Sequence, residues 1–555
     1  MASRAKICFI SLIIITSTSL IASWTEHTFA QLSRRQKIGQ LFMIAVTANT
    51  DSLFFLSQSP YRMNQAYCES IITNYQVGGI IFLGTGSVEQ QVTLTRHYQS
   101  LSAVPLLVGI DAEWGLKMRI SNGMRFPYAM TLGALKDEEL IYQTGYTIGK
   151  QSKALGIHLN CAPVLDVATN PENPVINYRS FGQDPQAVAR KGMLFARGLR
   201  DAGIIACAKH FPGHGDTLVD SHYALPCINH SKERLEATEL FPFVQAIQNG
   251  IPALMTGHLA VPALDPTTTP ASASSTIIKE LLGNQLGFNG LIITDGLGMR
   301  GITNNQAPGQ VEYTALLAGN DILLCPTDVP HAVQLIEQAL ESGELSEQEL
   351  DKKVLKILHA KEWAFKQTTT RAEHFLPAAQ LKKELYFKAL TLAANDTNIL
   401  PIAPDAHVAT ITFGCTSKNV LGQELAAHCA QSFTYNTTAH PAAEELKELE
   451  KRLTEYDTIV IGLFSMNHYS SDQFGINSAV YTWIQKMNEQ KKVILSIFGS
   501  PYSLALFDAQ PAIIMAYEDT PETQLATAQT IQGMYTPTGT LPVSASERFS
   551  CGTGL

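Results

Sequence analysis

The sequence predicts an α/β protein: a (β/α)8 TIM-like barrel followed by a smaller α/β sandwich domain. Three observations carry this. Eight short apolar, β-rich runs recur at residues 42–47, 77–83, 106–110, 158–167, 204–209, 253–258, 291–294 and 321–325. Amphipathic segments stand between many of them, as at 137–155, 184–202 and 231–248. A second strand–helix alternation then begins near Leu400. Strands alternating with helices predict a parallel sheet, and eight such units suggest a closed barrel. An open doubly wound sheet is the alternative, but no G-x-G-x-x-G fingerprint opens a helix.

Taken in order, residues 1–30 are expected to be a signal peptide. Arg4 and Lys6 give a positive start, an apolar run follows over residues 7–22, and Thr28-Phe29-Ala30 fits a small-x-small cleavage site. A membrane anchor is the weaker reading, because the run contains several Ser and Thr and a cleavage-like site follows it. No Cys sits just after the run, and no later stretch is apolar enough to span a bilayer. The expectation is an exported protein, periplasmic or extracellular, with no stable membrane anchor. Residues 31–366 form the expected barrel. Residues 367–397 read as a polar linker, around Gln367 to Glu373, and then a helix to about Ala393. Residues 398–555 read as the sandwich, with strands at 408–413, 458–463, 492–498 and 512–516.

The 555 residues exceed one ordinary core. With 45% hydrophobic and 16% charged residues the composition is globular and not disordered. A net charge of −9 gives no electrostatic reason to bind nucleic acid or anionic lipid. Nine cysteines are scattered without a C-x-x-C pair, so a zinc ribbon or redox motif has no support. Cys161 and Cys207 lie in apolar runs and are expected to be buried thiols. Cys415 and Cys429 are candidates for a pair, which spacing alone does not establish.

Charges at strand ends point to the site. Active sites of such barrels lie at the C-terminal ends of the strands. Here one run leads into Asp111, another into Lys209 and His210, a third ends at His258 and a fourth at Asp295. A lone buried charge is more often a structural partner, but four strand ends converging on one face favour a site. The loop from His210 to His222 is rich in Gly, His and Asp. Its spacing fits no standard zinc motif. In extended chain, residues two apart face the same side, so Asp220 is placed to hydrogen-bond the His222 imidazole and support proton transfer. Asp-x-His is by itself common and usually without meaning.

The segment Lys209-His210-Phe211-Pro212-Gly213-His214-Gly215-Asp216-Thr217, with Asp220-Ser221-His222 after it, closely resembles the β-N-acetylglucosaminidase (β-N-acetylhexosaminidase) branch of glycoside hydrolase family 3. Gly109-Ile110-Asp111-Ala112-Glu113, Asn177-Tyr178-Arg179-Ser180-Phe181-Gly182 and Thr294-Asp295-Gly296 resemble further family segments in the family's order. The resemblance implies Asp295 as catalytic nucleophile, His222 as acid/base with Asp220 as its partner, and Asp111, Arg119, Arg179, Lys209 and His210 as residues holding the terminal sugar. It implies a retaining hydrolase acting on N-acetylglucosaminides, from peptidoglycan fragments or chitin-type oligosaccharides, with no cofactor and no metal. Trp114-Gly115-Leu116-Lys117 departs from the family's usual Gly-Gly-Arg-Val, so Trp114 is either a rim residue of the pocket or a loop anchor. Three other functions stay open: a glucosidase or xylosidase of the same family, a phosphorylase, and a non-catalytic glycan-binding protein.

Overall fold

The computed structural model describes residues 23–49, 61–303, 306–367 and 376–555. Eight strands form the first sheet: β1 (Phe42–Thr47), β2 (Gly79–Leu83), β3 (Leu107–Ile110), β4 (Leu159–Asn160), β5 (Ile205–Phe211), β6 (Ala253–Thr256), β7 (Leu291–Thr294) and β8 (Leu323–Leu324). Their order is β7-β6-β5-β4-β3-β2-β1-β8. A parallel bridge between Ile293 and Ile322 brings the two ends together into a barrel. Helices cover the outer face, so the strands are buried on both faces and read as continuous apolar runs.

Each of the eight expected runs coincides with a strand. The fourth is shorter than its apolar run, because only Leu159 and Asn160 pair fully. Pro163 brings no N–H to the ladder, and beyond it an isolated bridge between Val164 and Lys209 is the last pairing with β5 before the loop that carries Asp166. On the outside, helix Glu139–Ala154 packs closely on helix Pro185–Asp201. Glycine makes this approach possible: a Cβ on Gly145 would lie 2.2 Å from the Phe195 carbonyl oxygen.

At the amino-terminal end, helix Trp24–Gln31 begins at a capping box formed by Ser23 and Glu26. Thr25 Oγ1 donates to Glu362 at 2.6 Å, and Trp24 packs edge-on against Phe365. The boundary expected after Ala30 therefore falls inside a helix that is docked on the barrel. Residues 1–22 lie outside the described residues, as does most of the polar linker stretch (368–375).

The second sheet has six strands: β9 (Thr391–Asn395), β10 (His407–Phe413), β11 (Gln431–Thr437), β12 (Thr458–Leu463), β13 (Lys492–Ile497) and β14 (Ala512–Met515). Their order is β11-β10-β12-β13-β14-β9, and only β9 runs antiparallel, against β14. Two of these were not expected. The helix before β9 stops at Ala389, so Thr391–Asn395 is strand where helix was read to 393. β11 is an edge strand with a half-exposed, polar sequence and so lacks an apolar run. Helices flank the sheet on both faces: Ile459 and Ile461 of β12 join one apolar cluster and Val460 the other. All eight described cysteines are free thiols, with Cys161 and Cys207 buried and Cys415 not joined to Cys429. Among the described residues no helix is long and apolar enough to cross a membrane.

Candidate active site

A cavity of about 1100 Å3 opens at the C-terminal ends of the barrel strands. Asp111 follows β3, Lys209 and His210 lie in β5, and Asp295 follows β7. Loops bring Arg119, Arg179, Asp220 and His222 to the same cavity, so all eight residues to which the family resemblance gives a role line it, while His258 does not.

One wall is a network of alternating charges. Asp111 accepts from Arg119 Nη2 at 2.8 Å and from Lys209 Nζ at 3.0 Å. Lys209 Nζ also lies 2.8 Å from Glu113 Oε1. Glu113 holds Arg179 by two bonds of 2.7 and 3.0 Å, the bidentate geometry that suits guanidinium to carboxylate. Burial pushes the Glu113 pKa up, but the Arg179 and Lys209 cations outweigh it and hold the carboxyl down at about 2. Asp111 is depressed in the same way by Lys209 and Arg119. Lys209 is raised, its burial outweighed by Asp111 and Glu113. The network presents fixed N–H donors and carboxylate acceptors, which is the equipment for gripping sugar hydroxyls.

A second group fixes the imidazoles. His210 Nδ1 donates to Asp166 Oδ2 at 2.7 Å, and Asp166 Oδ1 accepts from the backbone N–H of His210 and of His214. Asp166 is fully buried. With Nδ1 committed, Nε2 of His210 is the nitrogen left for the cavity. His258 behaves differently. Its Nε2 donates to the Gly296 carbonyl at 3.0 Å and its Nδ1 faces Ser272 Oγ at 2.6 Å, so this strand-end histidine is tied up inside the structure beside the Asp295 loop. Burial lowers its pKa, which favours the neutral ring.

Asp295 receives the Gly296 N–H at 2.7 Å on Oδ1. Burial pushes its pKa up, but neighbouring His210 and His258, this N–H and His222 together bring it below the usual value. The group is therefore an anion across the neutral range. His222 Nδ1 donates to Asp220 Oδ1 at 2.7 Å, and the same oxygen accepts the His222 backbone N–H at 2.8 Å. The bond to Asp220 raises the His222 pKa, with burial opposing and Asp295 adding to the rise. The His222 side chain is 59% exposed at the cavity mouth. Its loop is tied to the segment after Asp295: Gly301 N–H donates to the Ser221 carbonyl at 3.0 Å, and a Cβ on Gly301 would meet that oxygen.

Sequence reasoning missed Glu113 and Asp166 as site residues. Glu113 stands two residues after Asp111, in the turn that follows β3. Asp166 is a lone charge in an apolar run, Val164-Leu165-Asp166-Val167. Trp114 lines the cavity and also packs edge-on against Tyr128 at 4.9 Å, so it is both rim and anchor. Outside the cavity, Asp216, His230 and Glu239 gather near one another. Arg234 donates to both Glu239 oxygens at 3.0 Å, and His230 pairs with Asp216. That cluster is an ion-pair network at the base of the loop.

The Glycosyl hydrolase family 3 N terminal domain matches residues 33–360. "Beta-hexosaminidase A" of Pseudoalteromonas piscicida is 32% identical over 66% of this chain and 68% of its own length. "Beta-hexosaminidase LpqI" of Mycobacterium tuberculosis is 32% identical over 59% of this chain and 82% of its own. The solved structure of a glycoside hydrolase family 3 β-N-acetylglucosaminidase from Paenibacillus sp. is similar over 93% of this chain and 99% of that one, with a TM-score of 0.75 and 30% identity.

Proposed function

Since the chain belongs to glycosyl hydrolase family 3, we propose that this glycoside hydrolase is a retaining β-N-acetylglucosaminidase, with Asp295 as nucleophile and His222 as acid/base. The observation that carries the reading is the Asp220–His222 pair in the cavity that holds Asp295. An imidazole aimed by a carboxylate supplies proton transfer near neutrality. The Paenibacillus protein's name, a β-N-acetylglucosaminidase, supports this sugar, and the names of the Pseudoalteromonas and Mycobacterium relatives support a hexosaminidase.

In the first step an Asp295 oxygen attacks the anomeric carbon. The glycosidic C–O bond breaks, and the His222 Nε2–H gives its proton to the departing oxygen. Nε2 is the available nitrogen because Nδ1 is committed to Asp220. In the second step neutral His222 takes a proton from water, the oxygen attacks the anomeric carbon, and the Asp295 ester is released as carboxylate. Retaining glycosidases usually place two carboxyl groups about 5–5.5 Å apart; here an imidazole takes the second place. Asp111, Arg119, Arg179, Lys209 and His210 hold the sugar, and Glu113 and Asp166 hold those residues. No step calls for a metal or cofactor.

The natural substrates we propose are peptidoglycan fragments or chitin-type oligosaccharides, met outside the cytoplasm as the leader-like start suggests. The test is a matched pair of aryl β-N-acetylglucosaminide and aryl β-glucoside. A site shaped for an acetamide leaves buried polar groups unpaired with a glucoside, so kcat/KM is expected to favour the acetamido sugar by on the order of 100-fold or more. Comparable values on the two would move the protein to the glucosidase side of the family.

A further inference from the structure

The loop that carries Asp166 and Arg179 is held from outside the barrel. Its neck is closed by Ala168 N–H to the Gly182 carbonyl at 2.9 Å and by Ser180 Oγ to the Asp166 carbonyl at 2.6 Å. From the sandwich, Tyr502 donates to the Ala168 carbonyl at 3.1 Å. Gln183 exchanges two bonds with Ser544, of 3.0 and 2.6 Å. Ala168 also joins a small apolar cluster with Phe474, Tyr502 and Val543, all from the sandwich.

The tip of the loop is gripped as well. Asn177 is 6% exposed and holds φ at 30°, a left-handed conformation that Asn tolerates better than most residues. Its Nδ2 donates to the His468 carbonyl of the sandwich at 2.9 Å. The next residue, Tyr178, packs tilted against the His468 ring, with centroids 4.3 Å apart, and lines the cavity. The residue after that is Arg179, locked on Glu113. The same loop reaches the acid/base loop: Asn173 Nδ2 donates to the carbonyls of His214 and Gly215 at 2.8 and 3.0 Å.

We infer that the sandwich is a positioning part of the sugar site, and that Asn177, anchored on the His468 carbonyl, is the positioning residue that sets Arg179 against Glu113. The physical case is one of direction. A long guanidinium on a free loop samples many positions, and each ångström of misplacement weakens grip in the transition state. Two independent anchors, at the neck and at the tip, remove that freedom. The tip anchor sits two residues from the arginine it serves. The inference rests on the reading of Arg179 as a sugar-holding residue.

The test uses the full chain and two variants. Asn177→Asp keeps a residue that tolerates the positive φ and sets a carboxylate against the carbonyl. Asn177→Gly keeps the backbone conformation and removes the contact. Both are expected to lower kcat/KM on an aryl β-N-acetylglucosaminide by on the order of 10- to 100-fold and to speed hydrogen exchange across residues 166–183. In an Arg179→Ala background the further loss should nearly vanish, since the anchor acts through that side chain. A general folding defect would instead add its full effect in both backgrounds, and that result overturns the inference. Unchanged exchange in the loop, or unchanged kcat/KM in both variants, also overturns it. If the unsubstituted enzyme does not cleave the N-acetylglucosaminide, the proposed function fails, while hydrogen exchange still reads whether the anchor holds the loop.

Discussion

Asp220 Oδ1 accepts two hydrogen bonds from one residue, the ring Nδ1–H and the backbone N–H of His222, at 2.7 and 2.8 Å. One carboxylate oxygen thereby fixes both the tautomer and the direction of the imidazole. It also favours the imidazolium, and the His222 pKa is raised chiefly by this bond. A group acting as acid in the first step loses activity as pH rises through its pKa. Asp220→Asn removes the anion, so the His222 pKa should fall and the alkaline limb of kcat/KM should move to lower pH. The rate at neutral pH should drop by roughly 10- to 100-fold. A pH–rate profile on an aryl N-acetylglucosaminide reads both effects, and an unmoved alkaline limb would remove Asp220 from the proton-transfer pair.

Glu113 should make stability depend on acid pH. Its folded pKa of about 2 lies below the ordinary 4.5, so its contribution is full above about 4.5 and is lost as pH falls through about 2. The linked stabilisation is on the order of 3 kcal/mol. Glu113→Gln should therefore be less stable than the unsubstituted protein at pH 7, and the gap should narrow steadily below pH ~4.5. Urea unfolding at several pH values measures it. A gap that stays constant down to pH ~2 would mean the pairing contributes nothing to folding.

These two residues mark how far sequence reading reached. The barrel was legible because each strand is buried on both faces and so spells an apolar run, and the charged residues that end those runs fell on one face. Asp220 and His222 were legible through their spacing and the family likeness. Glu113 and Asp166 act by holding other residues, and a supporting carboxylate has no spacing rule of its own. β11 escaped because an edge strand need not be apolar. The grip of the sandwich on Asn177 joins positions 291 residues apart, a pairing that no local pattern encodes.

Asp295→Ala should leave a folded protein with turnover reduced by on the order of 10⁴-fold or more, because no covalent intermediate can form. Near-UV circular dichroism checks the fold. A 5-fluorinated N-acetylglucosaminyl donor, which keeps the 2-acetamido group, should label Asp295 in the unsubstituted enzyme, read by peptide mass spectrometry. A label on another carboxylate would reassign the nucleophile.

The docked helix Trp24–Gln31 makes its own prediction for the export that we propose. Cutting after Ala30 would remove Trp24 and Thr25 and with them the contacts to Phe365 and Glu362. The mature amino terminus should lie at or before Ser23, so that the capping box survives. Amino-terminal sequencing of the protein recovered from each cell fraction decides this, and a start at Gln31 would show that the helix is dispensable.

The strongest test of His222 is how the damage from its loss varies with the leaving group. A good leaving group, such as a dinitrophenolate, departs without a proton, so the first step needs no acid. A sugar alcohol departs only as it is protonated. His222→Ala should therefore depress kcat/KM for a disaccharide by on the order of 10²–10⁴-fold, and for the activated aryl glycoside far less. The second step needs a base whatever the leaving group was. With the activated substrate the glycosyl-enzyme should accumulate, giving a burst of phenolate followed by a slow steady state. Azide should speed that steady state, because an anionic nucleophile does not need a base to remove its proton, and the product should be the β-glycosyl azide. The Asp220 carboxylate and the exposed ring both sit at the cavity mouth, so the alanine variant also leaves room for the anion. Equal losses on both substrates, with no burst and no azide rescue, would make His222 a structural residue and leave the proton transfers to another group.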